Sequence, residues 1–271
     1  MYVDILNVEG GKMKKIFYII LDGLGDLPIE ELGGKTPLES AYKPYMDSLA
    51  KEGIQGIVYP LSKDIAPESD IAVISLLGYD AHRLYTGRGP LESFAEGLKV
   101  NEGDLALRVN FAVAQPGSYR IVDRRVGRNL TTDEAKALAK EINEKVKLSQ
   151  DAEFEFKSTI GHRGVLVIRK AGELSGWITN TDPAYGREGV FGVALEKFEP
   201  YLLESKPMPG YENDSKALLS ANLVNEFTQK SRQVLENSEI NKRREKEGKL
   251  SANVILSRDA GDRLPNFKPI K

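Results

Sequence analysis

Apolar and polar positions along the chain alternate in patterns that change twice. The first apolar run, Lys15 to Leu21 (KIFYIIL), is β-branched and aromatic without interruption and stops at Asp22-Gly23. Such a run predicts a strand buried on both faces of a parallel sheet. Asp22 then falls at the carboxyl end of that strand, the edge where open α/β sheets bind ligands. Ser40 to Gly53 places Tyr45, Leu49 and Ala50 at helical spacing, with Pro44 suited to a first turn and Gly53 to a stop. Ile54 to Tyr59 predicts a second strand and hence a β-α-β beginning. After Pro67, the stretch Ser69 to Leu77 predicts a helix that Ser69 and Asp70 are suited to begin, with Ile71, Ile74 and Leu77 as its apolar stripe.

From about Val100 the pattern becomes one of short strands around a helix. Strands are predicted over Leu105 to Val113, Ser118 to Val122, Glu153 to Lys157 and Gly164 to Ile168. A helix is predicted from Thr132 to Val146, with Thr131 and Glu134 at capping-box spacing. A long amphipathic helix follows from Asp214 to about Asn237, with Leu218, Leu219, Leu223, Val224 and Phe227 on one side, and Asn253 to Leu256 reads as a return strand. The expected organisation is an α/β core begun by residues 14–99, an inserted α+β unit over 100–249, and a return to the core over 250–271.

Composition narrows the function classes. The chain has 271 residues, 41% hydrophobic and 29% charged, enough for one large domain or two modest ones. Lys plus Arg number 38 against 40 Asp plus Glu, so the formal charge of −2 offers no broad positive field for nucleic acid or anionic lipid. Any phosphate chemistry must therefore come from local clusters. Cysteine is absent, which excludes disulfides, thiolate metal sites and a Cys nucleophile. The first residues carry acids and glycines where a secretory signal needs a basic start, and no apolar run can cross a bilayer, so a cytoplasmic location is the default expectation. Met13 is a second plausible start.

Asp22 at a strand end and Ser69 at a helix start would project toward one sheet edge. A carboxylate there can hold a divalent ion, and a metal-bound serine hydroxyl is a competent nucleophile. The bland alternative is a turn Asp and an N-cap Ser. Gly23-x-Gly25 also follows the strand, but Pro28 stands where a dinucleotide loop needs its third glycine. Asp123 to Arg128 (DRRVGR) gathers Arg124, Arg125 and Arg128, whose guanidinium forks suit phosphate or carboxylate; otherwise they form a solvated basic loop. His162 and Arg163 lie between Gly161 and Gly164 ahead of the run GVLVI, either as a donor pair at a strand edge or as a structural histidine. Asp182-Pro183 in TNTDP is a standard turn signal.

In order, IILDGLGDLPIEELGGKTPLE, SDIAVISLLGYD, TGRGPLE, LRVNF, DRRVGR, GHRGVLVI, TDP, NKRREKEGK and ANVILSRDAG resemble the archaeal-type 2,3-bisphosphoglycerate-independent phosphoglycerate mutases, a branch of the alkaline phosphatase superfamily. The likeness runs from Lys14 to Gly261. It implies an alkaline-phosphatase-like α/β core, incomplete here, with an inserted α+β domain facing the substrate. It implies exchange of 2-phosphoglycerate and 3-phosphoglycerate through a phosphoserine at Ser69, with Asp22 and Ser69 touching two divalent ions, Mn or Mg. Arg124, Arg125, Arg128, His162 and Arg163 match the substrate-facing motifs. Most metal ligands are expected beyond Lys271, so the chain alone can be inactive. Small-molecule phosphoglycerate is the expected partner, with neither nucleic acid nor membrane. Three positions depart from the resemblance: Glu68 precedes the serine, Val73 stands where relatives have His, and Ala184 follows Pro183 where relatives often have His. The departures around Ser69 keep open another phosphotransferase or phosphatase of the superfamily, and the missing metal ligands keep open a non-catalytic phosphoglycerate-binding fragment.

Overall fold

The computed structural model describes residues 17–63, 65 and 67–269. The described residues form two compact units, one from the first 65 positions with 268 and 269, the other spanning 67–267.

In the first unit, Ile29 and Lys35 bridge across a tight turn closed by Gly33 in the left-handed region. Helix α1 (Pro37–Ser40) begins with a reciprocal box in which Thr36 and Glu39 satisfy each other's backbone N–H groups. Helix α2 (Pro44–Glu52) starts on Pro44 and ends at Gly53, as its spacing predicts. Neither expected strand forms among the described residues. Residues 18–21 and 54–59 are in no strand, and Phe17, Ile19, Ile54 and Ile57 are exposed. Positions 15 and 16 of the first run lie outside the described residues. An apolar run becomes a buried strand only when neighbours pair both of its edges, and pairing is a property of the partners, not of the run. Asp22 consequently sits in an exposed turn instead of at a strand end.

The second unit opens with three helices, α3 (Ser69–Leu76), α4 (Ala81–Leu84) and α5 (Arg88–Ala95). They are followed by β1 (Leu105–Ala114), β2 (Ile121–Asp123), α6 (Thr132–Lys145), β3 (Glu153–Ser158) and β4 (Arg163–Arg169). A small antiparallel pair, β5 (Tyr185–Glu188) and β6 (Phe191–Ala194), precedes α7 (Ser215–Glu236), α8 (Glu239–Lys246) and β7 (Val254–Gly261). The main sheet is antiparallel, β3-β4-β1-β7, with β2 added at the far end of β1.

Period-two alternation in β1 decides what each face does. Leu105, Leu107, Val109 and Phe111 point to one side, where Leu138 and Ile142 of α6 and Leu223, Val224 and Phe227 of α7 complete the core. Ala106 and the residues in step with it face the other side, on which α5 lies. The approach of α5 is close enough that a Cβ on Gly89 would stand 2.3 Å from the Ala106 carbonyl oxygen, so only glycine fits there. Thr131 and Glu134 cap α6 as their spacing predicts.

Three expectations differ from the fold. The return strand is longer than Asn253 to Leu256 and pairs with β1. The segment Ser118 to Val122 begins with a turn through Gly117, and only Ile121 onward is strand. Leu218 on α7 is 42% exposed while Leu223 and Phe227 are buried, because the helix meets the sheet over a narrower arc than its apolar positions span. Phe227→Ala should therefore lower stability by about 3–5 kcal/mol and Leu218→Ala by well under about 1 kcal/mol, read from urea unfolding midpoints at constant slope; equal losses would contradict this packing.

Candidate functional site

The face of the sheet opposite α6 and α7 is apolar at its ends and cationic in its middle. Arg108 of β1 sits across the ladder from Arg258 of β7, and Asn110 of β1 sits across from Arg163 of β4. Strand alternation thus delivers three guanidinium groups and an amide to one patch. The hairpin joining β3 to β4 turns through Gly161 at φ 57° and is tied to β1 by the Phe111 N–H, which donates to the His162 carbonyl at 2.7 Å.

The stretch after β2 adds three more arginines. Val126, Gly127 and Arg128 are consecutive left-handed residues, with φ of 53°, 60° and 55°. A β-branched residue in that region is strained by about 1–3 kcal/mol unless its surroundings impose it. Here the Val126 side chain is fully buried in the core, which fixes the turn and leaves Arg124, Arg125 and Arg128 at the rim of the cationic face.

Helix α3 supplies the remaining wall. Ser69 is its first helical residue, with Glu68 at the capping position, so Ser69 marks the helix start without being the N-cap. The first N–H groups of a helix have no intrahelical acceptor and carry partial positive charge, an environment suited to an anion. The Glu68 carboxylate accepts from Arg88 Nη1 at 3.1 Å, and Arg88 also meets Glu92 at 2.6 Å. The acid beside Ser69 is therefore offset by a neighbouring cation. Asp70 accepts from the Tyr85 hydroxyl at 2.5 Å, and burial together with that carboxylate pushes the phenol well above its ordinary range.

These walls enclose a cavity of about 360 Å³. Ser69, Arg124, Arg125, Arg128, His162 and Arg163 all line it, together with Arg88, Arg108, Asn110, Tyr185 and Arg258. Among the described residues, seven guanidinium groups face Glu68 as the one lining acid. Burial, and then the charges of Arg163, Arg125, Arg128 and Arg258, push the His162 imidazole down to about 4, so it is neutral at pH 7 and can accept a hydrogen bond. Asp259, next to Arg258, is moved the other way: burial raises it to about 6, assisted by Glu68 and Asp70 and opposed by Arg258.

Asp22 belongs to the other compact unit and is exposed in its turn. Among the described residues, no three His, Cys, Asp or Glu side chains come together as metal ligands. Ala184 is buried and donates its N–H to Asp182 at 3.2 Å. The turn signal at Asp182 understated that residue. Its carboxylate is fully buried and holds Arg124 through Nε at 2.8 Å and Nη2 at 2.5 Å, and Arg258 through Nη1 at 3.0 Å. Arg88, Arg108, Asn110, Tyr185 and Arg258 were likewise not singled out by sequence. The available signal was a polar or charged residue inside an apolar strand, as in LRVNF and ILSRDAG.

A profile of the family "2,3-bisphosphoglycerate-independent phosphoglycerate mutase" matches residues 50–241. The protein of that name from Aeropyrum pernix is 48% identical over 256 residues, covering 94% of this chain and 59% of the relative. Its Methanopyrus kandleri counterpart is 43% identical over 253 residues, covering 93% and 56%. The solved cofactor-independent phosphoglycerate mutase from Thermoplasma acidophilum has a TM-score of 0.54 at 35% identity, covering 91% of this chain and 59% of its own. A solved protein from Pyrococcus horikoshii has a TM-score of 0.60 at 32% identity, covering 92% and 51%. This chain therefore has the α/β fold of these mutases and spans a little over half the length of the relatives it matches. With a profile match over more than half of its residues, the chain belongs to the 2,3-bisphosphoglycerate-independent phosphoglycerate mutase family.

Proposed function

We propose that this chain carries the nucleophile and the substrate-gripping arginines of a phosphoglycerate mutase that interconverts 2-phosphoglycerate and 3-phosphoglycerate, a step of glycolysis and gluconeogenesis. The observation that carries this reading is a single cavity in which seven guanidinium groups surround the first turn of α3, where Ser69 lies. Phosphoglycerate presents a phosphate and a carboxylate, and planar guanidinium forks suit both. Only the carbon bearing the phosphate differs between the two isomers, so a site that grips both anionic ends can hold either.

In this reading the Ser69 Oγ bonds to phosphorus as the bond from phosphorus to the glycerate oxygen breaks. The serine proton ends on that oxygen. The glycerate, still gripped by its carboxylate, turns so that its other hydroxyl attacks phosphorus as the bond from phosphorus to Ser69 Oγ breaks, and the proton of that hydroxyl returns to Oγ. Charge on the transferring group is spread over its outer oxygens, and the arginines oppose it without having to move. Neutral His162 and the Asn110 amide, with Glu68, are acceptors in a wall dominated by guanidinium donors, and a substrate hydroxyl needs one. Water must be kept from phosphoserine, since its attack would make the protein a phosphatase.

The family is metal-dependent, and two divalent ions, Mn or Mg, with Asp22 and Ser69 among their ligands belong to this reading. The donors on the described residues do not by themselves form such a site, and the steps above use only the chain's own groups. Glu68 and Val73 around Ser69 favour a second reading, another phosphotransferase or phosphatase of the same superfamily. Release of inorganic phosphate with little exchange would support that reading over the first.

Two measurements test the proposal. With Mn and no added bisphosphoglycerate, the gene product containing this sequence should exchange the two phosphoglycerates, and Ser69→Ala should lower the rate on the order of 10³-fold or more; undiminished exchange in that variant would sink Ser69 as nucleophile. The His162 resonance of the unliganded chain should titrate near its depressed value of about 4. Because the unfolded imidazole titrates near 6.5, the folded state binds fewer protons between these values, so stability falls as pH is lowered through that window. Arg163→Ala should move the midpoint upward, and a midpoint already at the ordinary value would contradict the cationic surroundings.

A further inference from the structure

We propose that Asp182 is a positioning residue: its buried carboxylate sets the orientation of Arg124 and Arg258 so that their remaining N–H groups form one seat for an oxyanion. The inference rests on the phosphoglycerate reading for the identity of that oxyanion and on geometry alone for the seat.

Arg124 and Arg258 come from distant parts of the chain, one beside the left-handed turn after β2 and the other from β7. Nothing in their local structure would make them converge. Asp182 does so directly, taking Nε and Nη2 of Arg124 on its two oxygens and Nη1 of Arg258 on one of them. The Asp182 side chain has no solvent exposure, so these contacts are not screened as surface pairs are. A bidentate carboxylate fixes the plane of a guanidinium as well as its position. The Tyr185 ring adds a second constraint, with the Arg258 guanidinium carbon 4.1 Å and that of Arg124 5.1 Å from its centroid.

The carboxylate is itself immobilised. The Asp182 and Thr181 N–H groups both donate to the Ser257 carbonyl, and the Thr181 hydroxyl accepts from the Ser257 N–H at 2.8 Å. The Ala184 N–H closes the turn onto Asp182 Oδ1. The turn is therefore stitched to the strand that carries Arg258, and Arg124 is brought to it. Asp259 also lies 3.3 Å from Arg258 Nε, and both arginines line the cavity. Each guanidinium has five N–H donors, so neither is exhausted by Asp182.

The direction of effect separates positioning from charge. Asp182→Asn removes a negative charge and keeps the shape, so by Coulomb's law alone it would tighten binding of an anion. If Asp182 positions the arginines, it loosens binding instead. Calorimetric titration of the chain with 3-phosphoglycerate should show the dissociation constant of D182N raised on the order of tenfold to a hundredfold. In an R124A/R258A background the same substitution should change it less than about twofold, because residues that act as one unit are non-additive. Unchanged or tighter binding in D182N, or an equal loss in both backgrounds, overturns the inference while leaving the phosphoglycerate reading intact. Inorganic phosphate is the second probe: Asp182-dependent binding of phosphate without binding of 3-phosphoglycerate would remove that reading and leave the seat standing, and binding of neither removes both. Should D182N fail to fold, the unsubstituted chain still decides. The Arg124 Nε–H should be ordered like rigid backbone in the unliganded state, with an order parameter near ~0.85, and a mobile guanidinium overturns the inference.

Discussion

Seven guanidinium groups around one cavity repel one another, and the arrangement exists because carboxylates stand behind them. Two unit charges about 6 Å apart at an effective dielectric of about 20 differ in energy from infinite separation by roughly 3 kcal/mol. Several such pairs would be enough to unfold a domain of ordinary stability. Asp182 answers Arg124 and Arg258, while Glu68 and Glu92 answer Arg88, and Glu92 also lies 3.3 Å from Arg108. The acids are set back from the cavity, except for Glu68, so the face shown to a ligand stays cationic. The repulsion that remains is what an anionic ligand would relieve.

The sheet makes that compromise possible by separating its two faces. One face of β1 spends its whole length on apolar contact with α6 and α7. The other face is freed from core duty over Arg108 and Asn110, because α5 covers only the Ala106 end and the small cluster around Ala112 covers the other. Charged residues in a buried strand ordinarily count against a fold. Here they are confined to the stretch between those two apolar clusters, and the turn anchored by buried Val126 brings more cations to the same place. The cationic cavity wall and the core are thus built from alternate residues of the same strands.

The first unit shows the reverse situation. Its helices form where local signals are complete, with Pro44 at a first turn and the Thr36–Glu39 box. Residues 18–21 and 54–59 of its apolar runs, by contrast, belong to no strand and are largely exposed. A helix closes its hydrogen bonds within itself, whereas a strand depends on a partner. The difference between what was legible and what was not in residues 17–63 follows that physical line.

The same division holds for the site. Local sequence was sufficient for α3, α6 and α7, for the cap at Thr131, for strands β1, β3 and β4, and for the cationic character of DRRVGR and GHRG, because capping, periodicity and composition act within a few residues. Ser69, Arg124, Arg125, Arg128, His162 and Arg163 could be named from motifs, yet nothing in their spacing placed them around one cavity. Arg108 meets Arg258 only through a ladder between residues 150 positions apart, and Asp182 meets both Arg124 and Arg258 only after the chain has folded back on itself. Which residues carry charge was written in the sequence. Which charges face one another was decided by long-range strand pairing and burial, since electrostatic interaction depends on separation in space and surrounding dielectric, neither of which a linear order of residues specifies.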